Sequence, residues 1–209
     1  MAETGDPGGR EDAHRGAHPF RHRWNHNSEY YPALAGVVAG CDRVLDVGCG
    51  EGTLARYLSG EGHRVTGLDA DASVLPGAGP GPSFTLGDAE DLPFPDESFD
   101  AVTMVAVLHH VDAPRALAEA RRVLRPGGRL AVIDIARARG PRGAAAWVRY
   151  RWIHHVARRG TTHWEPGTRK VDPRLDGAAT RRQLEAELPG AVVRRLPLWR
   201  YLAIWTAPT

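Results

Sequence analysis

The sequence predicts an α/β protein built on a largely parallel sheet, and three observations predict it. From residue 43 onward, short β-rich runs alternate with helical patterns, which argues for successive βαβ units. The first run leads straight into a glycine-punctuated turn, "RVLDVGCGEG" (43–52), as a strand does when it hands over to a helix beside a ligand. The last two runs are joined only by "PLWR", which is short enough for a hairpin and makes the final strand antiparallel to its neighbour.

Taken in order, residues 1–19 are polar, contain Gly, Pro and His, and show no periodicity; they read as a disordered tail. Residues 20–40 suit one or two short helices around "YYPALAGVVAG". The strands are read at Arg43–Val47, Arg64–Leu68, Ser83–Leu86, Asp100–Val105 and Arg129–Ile135. A helix over Thr53–Leu58 follows the first and is ended by Gly60. After the fourth, Asp112 and Pro114 mark a helix start. Ala116, Leu117, Ala120, Val123 and Leu124 share one face, and "RPGG" stops the pattern. Residues 144–159 look helical and precede a long loop. Thr180 with Gln183 resembles a capping box opening a helix to Leu188, before strands at Ala191–Leu196 and Tyr201–Thr206.

The composition narrows the class. With 209 residues, 42% of them hydrophobic, the chain suits one compact domain. No window is apolar enough for a membrane span, and the N-terminus lacks the apolar segment of a secretory signal. Cys41 and Cys49 flank the first strand; a disulfide is not expected, and a reduced cytoplasmic setting is. No metal-ligand spacing is present, so no metal is expected. The net charge of +2 hides an asymmetry. From Arg137 onward there are 15 Lys and Arg against 5 Asp and Glu, with 12 against 20 before it. A basic C-terminal third could face an anionic substrate or a nucleic acid, but no aromatic-interleaved basic motif accompanies the charge, so solvated surface is the preferred reading.

The glycine loop has two competing ligands. A dinucleotide loop reads Gly-x-Gly-x-x-Gly with an acid about 20 residues on. Here Gly48, Gly50 and Gly52 alternate, so the third glycine arrives one position early. Acids also stand at three strand ends. Asp46 precedes the loop, Asp69 closes "RVTGLD", and Asp88 opens "GDAEDLPFPDESFD". Asp69 can accept two hydrogen bonds from vicinal ribose hydroxyls. Asp88 can accept from an exocyclic amine, with the Ala89 amide donating to a ring nitrogen. Three acids are too many for a pyrophosphate, which wants amides or bases. They suit a ligand with a positive charge, a free amine and an adenosine, as in S-adenosylmethionine. Asp71, Glu90 and Asp91 read as solvated neighbours of these acids.

"VLDVGCGEG", "GLDAD", "GDAEDLPFPDESFDAV", "VLHHV" and "EARRVLRPGG", in that order and spacing over residues 43–135, resemble the class I S-adenosylmethionine-dependent methyltransferases. The likeness is to the small-molecule branch that includes ubiquinone/menaquinone-biosynthesis-type enzymes. The resemblance implies a Rossmann-like seven-stranded sheet in order 3-2-1-4-5-7-6, with strand 7 antiparallel and helices on both faces. It implies that Asp46, Gly48, Cys49 and Gly50 meet the methionine portion. Asp69 would then hold the ribose, Ala70 pack on the adenine, and Asp88 and Ala89 read the adenine edge. The chain from Val105 to His109 would pass the sulfonium. The sequence departs from the family after Asp69. "ADASVLPGAGPGPS" cannot form the usual helix; at most a turn forms at Ser73–Leu75, which leaves that sheet edge less covered.

These implications set up the functional expectations. A hydroxyl, phenol or amine acceptor must lose a proton, and His109 or His110 is the candidate base. The alternative is that one of the pair packs on the cofactor or caps the next helix. No Asp/Asn-Pro-Pro-Tyr/Phe motif follows strand 4, which speaks against methylation of a nucleic-acid base amine. Tyr30 or Tyr31 would close over the cofactor. Trp147, Trp152 and Trp164, in the segment after strand 5, would wall an acceptor pocket or anchor that segment. The expected organisation is a tail (1–19) and one domain (20–209). The domain divides into an N-terminal cover (20–40), a cofactor-binding core (43–135), a lid (136–178) and a last helix with hairpin (179–209). A small-molecule acceptor is expected, with no nucleic-acid partner, in a monomer or homodimer. Two other readings stay open: a protein that binds S-adenosylmethionine without transferring methyl, and a nicotinamide-dependent oxidoreductase.

Overall fold

The computed structural model describes residues 23–135, 162–163, 175–197 and 200–209. A short 3-10 turn, Ser28–Tyr30, leads into α1 (Tyr31–Val38). The chain then alternates through β1 (Arg43–Val47), α2 (Thr53–Gly60), β2 (Arg64–Asp69), β3 (Ser83–Leu86), β4 (Phe99–Val105), α3 (Ala113–Val123) and β5 (Leu124–Ile135). It ends with α4 (Gly177–Glu187), β6 (Val192–Leu196) and β7 (Arg200–Thr206). The seven strands form one sheet in the order 3-2-1-4-5-7-6. Strands β1 to β5 pair in parallel, and β7 is antiparallel to both β5 and β6. A separate two-residue parallel ladder joins Arg23–Trp24 to Thr162–His163.

Side-chain alternation along the strands divides the core in two. Leu45, Val47, Val102, Met104, Leu130 and Val132 pack with α3 and α4 through Ala116, Leu117, Ala120 and Leu184. Val44, Ala101, Ala131 and Ile133 pack with α1 and α2 through Leu34, Val38, Ala55 and Leu58. Helices therefore cover both faces, and the central strands read as near-continuous apolar runs. The exceptions are Asp46 and Thr103 on the α1/α2 face and Asp134 on the α3/α4 face, all buried. Three polar residues near the carboxyl ends of apolar strands call for a reason, and the site below supplies it.

Several boundaries differ from the sequence reading for local reasons. The last helix begins at Gly177, not Thr180, because the Asp176 carboxylate accepts from the Ala178 and Ala179 amides at 3.0 Å. Thr180 is instead buried inside the helix. "RPGG" does end α3, but Leu124 already pairs with Phe99. Arg125–Gly128 form an irregularity within β5, across which the register with β4 shifts. At 70–82 the chain makes only a turn, as its prolines and glycines dictate. The edge strand β3 is left partly open, with Leu86 56% exposed. The helix read at 144–159 lies outside the described residues. Among the described residues no helix is long and apolar enough to cross a membrane, and no His, Cys, Asp and Glu cluster could hold a metal ion.

Candidate active site

In this strand order the chain reverses direction between β1 and β4, and open α/β sheets bind ligands outside the carboxyl ends at such a switch point. There the loops enclose a cleft of about 660 Å³. The glycine loop forms one side. The Gly48 and Cys49 amides both donate to the Leu68 carbonyl, at 2.7 and 3.0 Å, and the Gly52 amide donates to Cys49 at 2.9 Å. The Gly50 amide donates to Asp69 Oδ2 at 2.8 Å. What the glycines approach is the protein itself. Gly48 has φ +69°, and a Cβ there would collide with Val107; Gly52 has φ +71°, and its Cβ would strike the Phe84 ring. A phosphate reaching this loop would find these four amides already engaged.

The acids come next. Asp69 holds the Gly50 amide with one oxygen and the Asp71 amide with the other, at 3.0 Å. Asp88 accepts from the Glu90 amide at 2.9 Å, and Ala70, Asp88 and Ala89 line the cleft with Asp69. Asp71 folds the turn after β2 by accepting from the Ser73 amide and hydroxyl. Glu90 corrects the sequence reading. It is not merely solvated: it accepts from the Asp112 amide at 2.8 Å and pairs with Arg115 at 3.1 Å, tying the β3–β4 loop to the start of α3.

Asp46 is 2% exposed. Its Oδ1 accepts from Thr103 Oγ1 at 2.9 Å, while Oδ2 is buried with no hydrogen-bond partner. Burial raises its carboxyl to about 7, with Asp69 pushing the same way and the Thr103 hydroxyl and, least, the Ala55 amide opposing. Asp46, Glu51, Asp69, Asp71 and Asp88 all line the cleft, and no Lys or Arg is among the described lining residues. An orphaned buried carboxylate oxygen amid that field calls for a cation.

A methyltransferase-domain family model matches residues 45–132. The chain is also 36% identical over 194 residues to an uncharacterized methyltransferase of Mycobacterium bovis, covering 88% of this chain and 98% of that protein. The chain belongs to the class I S-adenosylmethionine-dependent methyltransferases. A methyltransferase of Synechococcus elongatus named for 2-phytyl-1,4-naphtoquinone is 41% identical over 113 residues, 48% of each chain. A Methanosarcina mazei S-adenosylmethionine-dependent methyltransferase structure shares the fold, with TM-score 0.59 at 22% identity over 85% of this chain and 98% of that one. The methyltransferase has residues that suit its family's cofactor: an unmet demand for a cation at Asp46, and an acid-lined cleft beyond it.

Past β4, Ala106 takes a left-handed φ of +59°, with its amide donating to Ile133 at 2.7 Å, and turns the chain into Val107–His110. His109 and His110 both line the cleft of the methyltransferase, their rings 4.1 Å apart. His109 Nδ1 lies 2.5 Å from Asp134 Oδ1, and the His109 amide donates to Asp134 Oδ2 at 3.1 Å. The Ile135 amide also donates to Asp134, which is 1% exposed. Tyr31 lines the cleft and shares a 2.6 Å hydrogen bond with Thr53 Oγ1. Tyr30 is not among the described lining residues. Its hydroxyl donates to the Pro197 carbonyl at 2.6 Å, joining the N-terminal segment to the β6–β7 hairpin. Trp147, Trp152 and Trp164 lie outside the described residues.

Sequence reasoning missed three participants. Asp134 reads as the polar end of a strand, because its partner His109 is 25 residues away. Asn25 and Asn27 line the cleft from the N-terminal segment. Asn25 Oδ1 accepts from the Asn27 and Ser28 amides, and Asn27 Oδ1 accepts from Arg200. The sequence points to the segment "RHRWNHNSEYY" as a variable part that recognises the acceptor, but nothing in it singles out these two asparagines.

Proposed function

We propose that this methyltransferase moves a methyl group from S-adenosylmethionine to a hydroxyl-bearing small molecule, with His109 receiving the hydroxyl proton. The observation that carries the reading is the His109–Asp134 pair on the wall of an acid-lined cleft. When bound, the cofactor supplies a methyl group on a positively charged sulfur that departs as a neutral thioether.

The chain's own residues do the rest. Asp46 Oδ2 accepts from the cofactor's ammonium, and the backbone of Gly48, Cys49 and Gly50 borders its methionine portion. Asp69 takes the ribose hydroxyls with its remaining lone pairs, Ala70 packs on the adenine, and Asp88 with the Ala89 amide reads the adenine edge. Val105 borders the reacting centre. Asp134 holds the Nδ1 proton of His109, which leaves the Nε2 lone pair to accept from the acceptor, and solvent then takes that proton. His110 stacks beside it. Proximity and alignment supply most of the acceleration.

One relative is named for a naphthoquinone and another, from Mycobacterium leprae, for phthiotriol and phenolphthiotriol dimycocerosates, which supports a quinone-like or lipid-like acceptor. Trp147, Trp152 and Trp164 are proposed as its cover, with Tyr31 at the cofactor side and Tyr30 supporting the segment. The proposed setting is the cytoplasm, where Cys41 and Cys49 stay reduced, and the proposed state is a monomer or homodimer.

The test is calorimetry with S-adenosylmethionine and with NAD, followed by detection of S-adenosylhomocysteine across a panel of phenols and quinols. The expected result is binding of the first and not of NAD. His109→Ala should keep cofactor affinity within threefold and lose about 10²–10⁴ in turnover. Full turnover in His109→Ala removes the histidine from the reaction. Binding without product from any acceptor leaves a protein that uses the cofactor otherwise.

A further inference from the structure

A second cavity, of about 370 Å³, begins where the cofactor cleft ends, and His109 and Val111 line both. It lies between the start of α3, the end of β5 and helix α4. Its volume falls within the roughly 300–1,000 Å³ of small-molecule sites. Pro114, Leu117, Ile135 and Leu184 give it apolar walls, and Gln183 offers an amide. No Lys or Arg is among its described lining residues, and its two carboxylates are already engaged. Asp112 caps α3 by accepting from the Arg115 amide at 3.1 Å. Asp134 is held by His109 and by the Ile135 amide at 2.6 Å. An anionic molecule would meet the buried Asp134 and the exposed Asp112 with no counter-charge among the described lining residues, whereas a neutral apolar one would meet a matched surface there.

We propose that this second cavity is the acceptor chamber, holding a neutral, largely apolar molecule whose single hydroxyl reaches the His109 ring at the seam with the cofactor cleft. The proposal rests on the cofactor occupying the first cleft. It adds where the acceptor sits and what charge it carries. It also gives α4 a function, since Thr180, Gln183 and Leu184 become walls of a binding site as well as core.

The test uses the full chain saturated with S-adenosylhomocysteine. Phenol, 2-naphthol and 4-phenylphenol are titrated against it by calorimetry, alongside 2-naphthoate, the anionic counterpart of 2-naphthol. Gln183→Trp fills the chamber from α4 and leaves the cofactor cleft alone. Leu175→Trp, at a residue 39% exposed on the chamber wall, does the same with less risk to folding. At least one phenol is expected to bind the parent, 2-naphthoate at least tenfold more weakly than 2-naphthol. Either variant should lose at least tenfold in phenol affinity while cofactor affinity stays within twofold. The proposal is overturned if no phenol binds, if 2-naphthoate binds as well as 2-naphthol, or if a folded variant binds phenols as the parent does. Failure of the parent to bind S-adenosylhomocysteine at all counts against the proposed function itself, so the two failures are separable.

Discussion

Asp46 decides much of the pH behaviour of the cleft. Its carboxyl titrates near 3.9 in an unfolded chain and is raised to about 7 in the fold by burial. Between those values the folded protein keeps a proton that the unfolded chain has lost. The stability from this group is therefore fully present below about pH 4 and falls as pH rises toward 7, by up to about 4 kcal/mol. Asp46→Asn should flatten the melting temperature between pH 5 and 8 relative to the parent. Cofactor affinity has the opposite slope, because a bound ammonium favours the charged carboxylate. The parent's dissociation constant for S-adenosylmethionine should tighten from pH 5.5 to 7.5, and that of Asp46→Asn should not; equal slopes in the two proteins would refute the assignment. Asp69 does more than the sequence suggested, since both its oxygens also hold backbone amides. Asp69→Ala should weaken cofactor binding at least tenfold and lower stability as well, with Asp69→Asn between. A dissociation constant within threefold of the parent's would place the ribose elsewhere.

At the level of elements, the loop that carries Asp88 is fastened to α3 a second time, beyond the Glu90 contacts with Asp112 and Arg115, by Arg122. Arg122 Nη1 donates to Asp96 and the Phe94 carbonyl, Nη2 to Glu119 and the Leu92 carbonyl, and Nε to Glu119. The Leu92 amide returns a bond to Glu119 at 2.8 Å. The hydrogen bonds that it donates to Glu119 and Asp96 raise the Arg122 guanidinium above its usual value. This links two motifs, "EDLPFPDESFD" and "EARRV", that the sequence shows only as neighbours in a pattern. Arg122→Ala should cost about 2–3 kcal/mol in urea unfolding. Arg122→Lys should not restore it, because a point charge cannot span five acceptors. A loss below about 0.5 kcal/mol would mean that the loop holds itself. At the other end of the chain, Asp176→Ala should cost about 1 kcal/mol by uncapping α4.

For the whole molecule, the ligand and the fold are coupled by mass action. The cleft is built from the loops after four strands, so a ligand there bridges segments that the sheet alone holds only at their bases. S-adenosylmethionine at about a hundred times its dissociation constant should add about 2.7 kcal/mol. For a chain of this size that raises the melting temperature by roughly 5–10 °C. NAD should leave it unchanged, because the Gly48, Cys49, Gly50 and Gly52 amides are all engaged within the protein. An equal shift with NAD would contradict the acid-lined cleft as a cation site.

The sequence by itself determined what is local and periodic. Runs such as "RVLDV" and "DAVTMV" suit central parallel strands, which bury both faces, and the order of the seven strands is the one that the resemblance to the methyltransferase family implied. Asp112 capped its helix as read, because a cap acts within four residues. Asp46, Asp69 and Asp88 were legible as site candidates because each stands at a strand end, and the chain brings such ends to one edge of the sheet. The tertiary structure decided whatever depends on distant partners. Only folding brings Asp134 to His109, sets the Phe84 ring and Val107 against Gly52 and Gly48, sends the Tyr30 hydroxyl to Pro197, and opens a second cavity between α3 and α4. Those contacts join residues far apart in the chain, or loops that no periodicity describes. Their geometry comes from how two helical layers pack on one twisted sheet, which no window of residues contains.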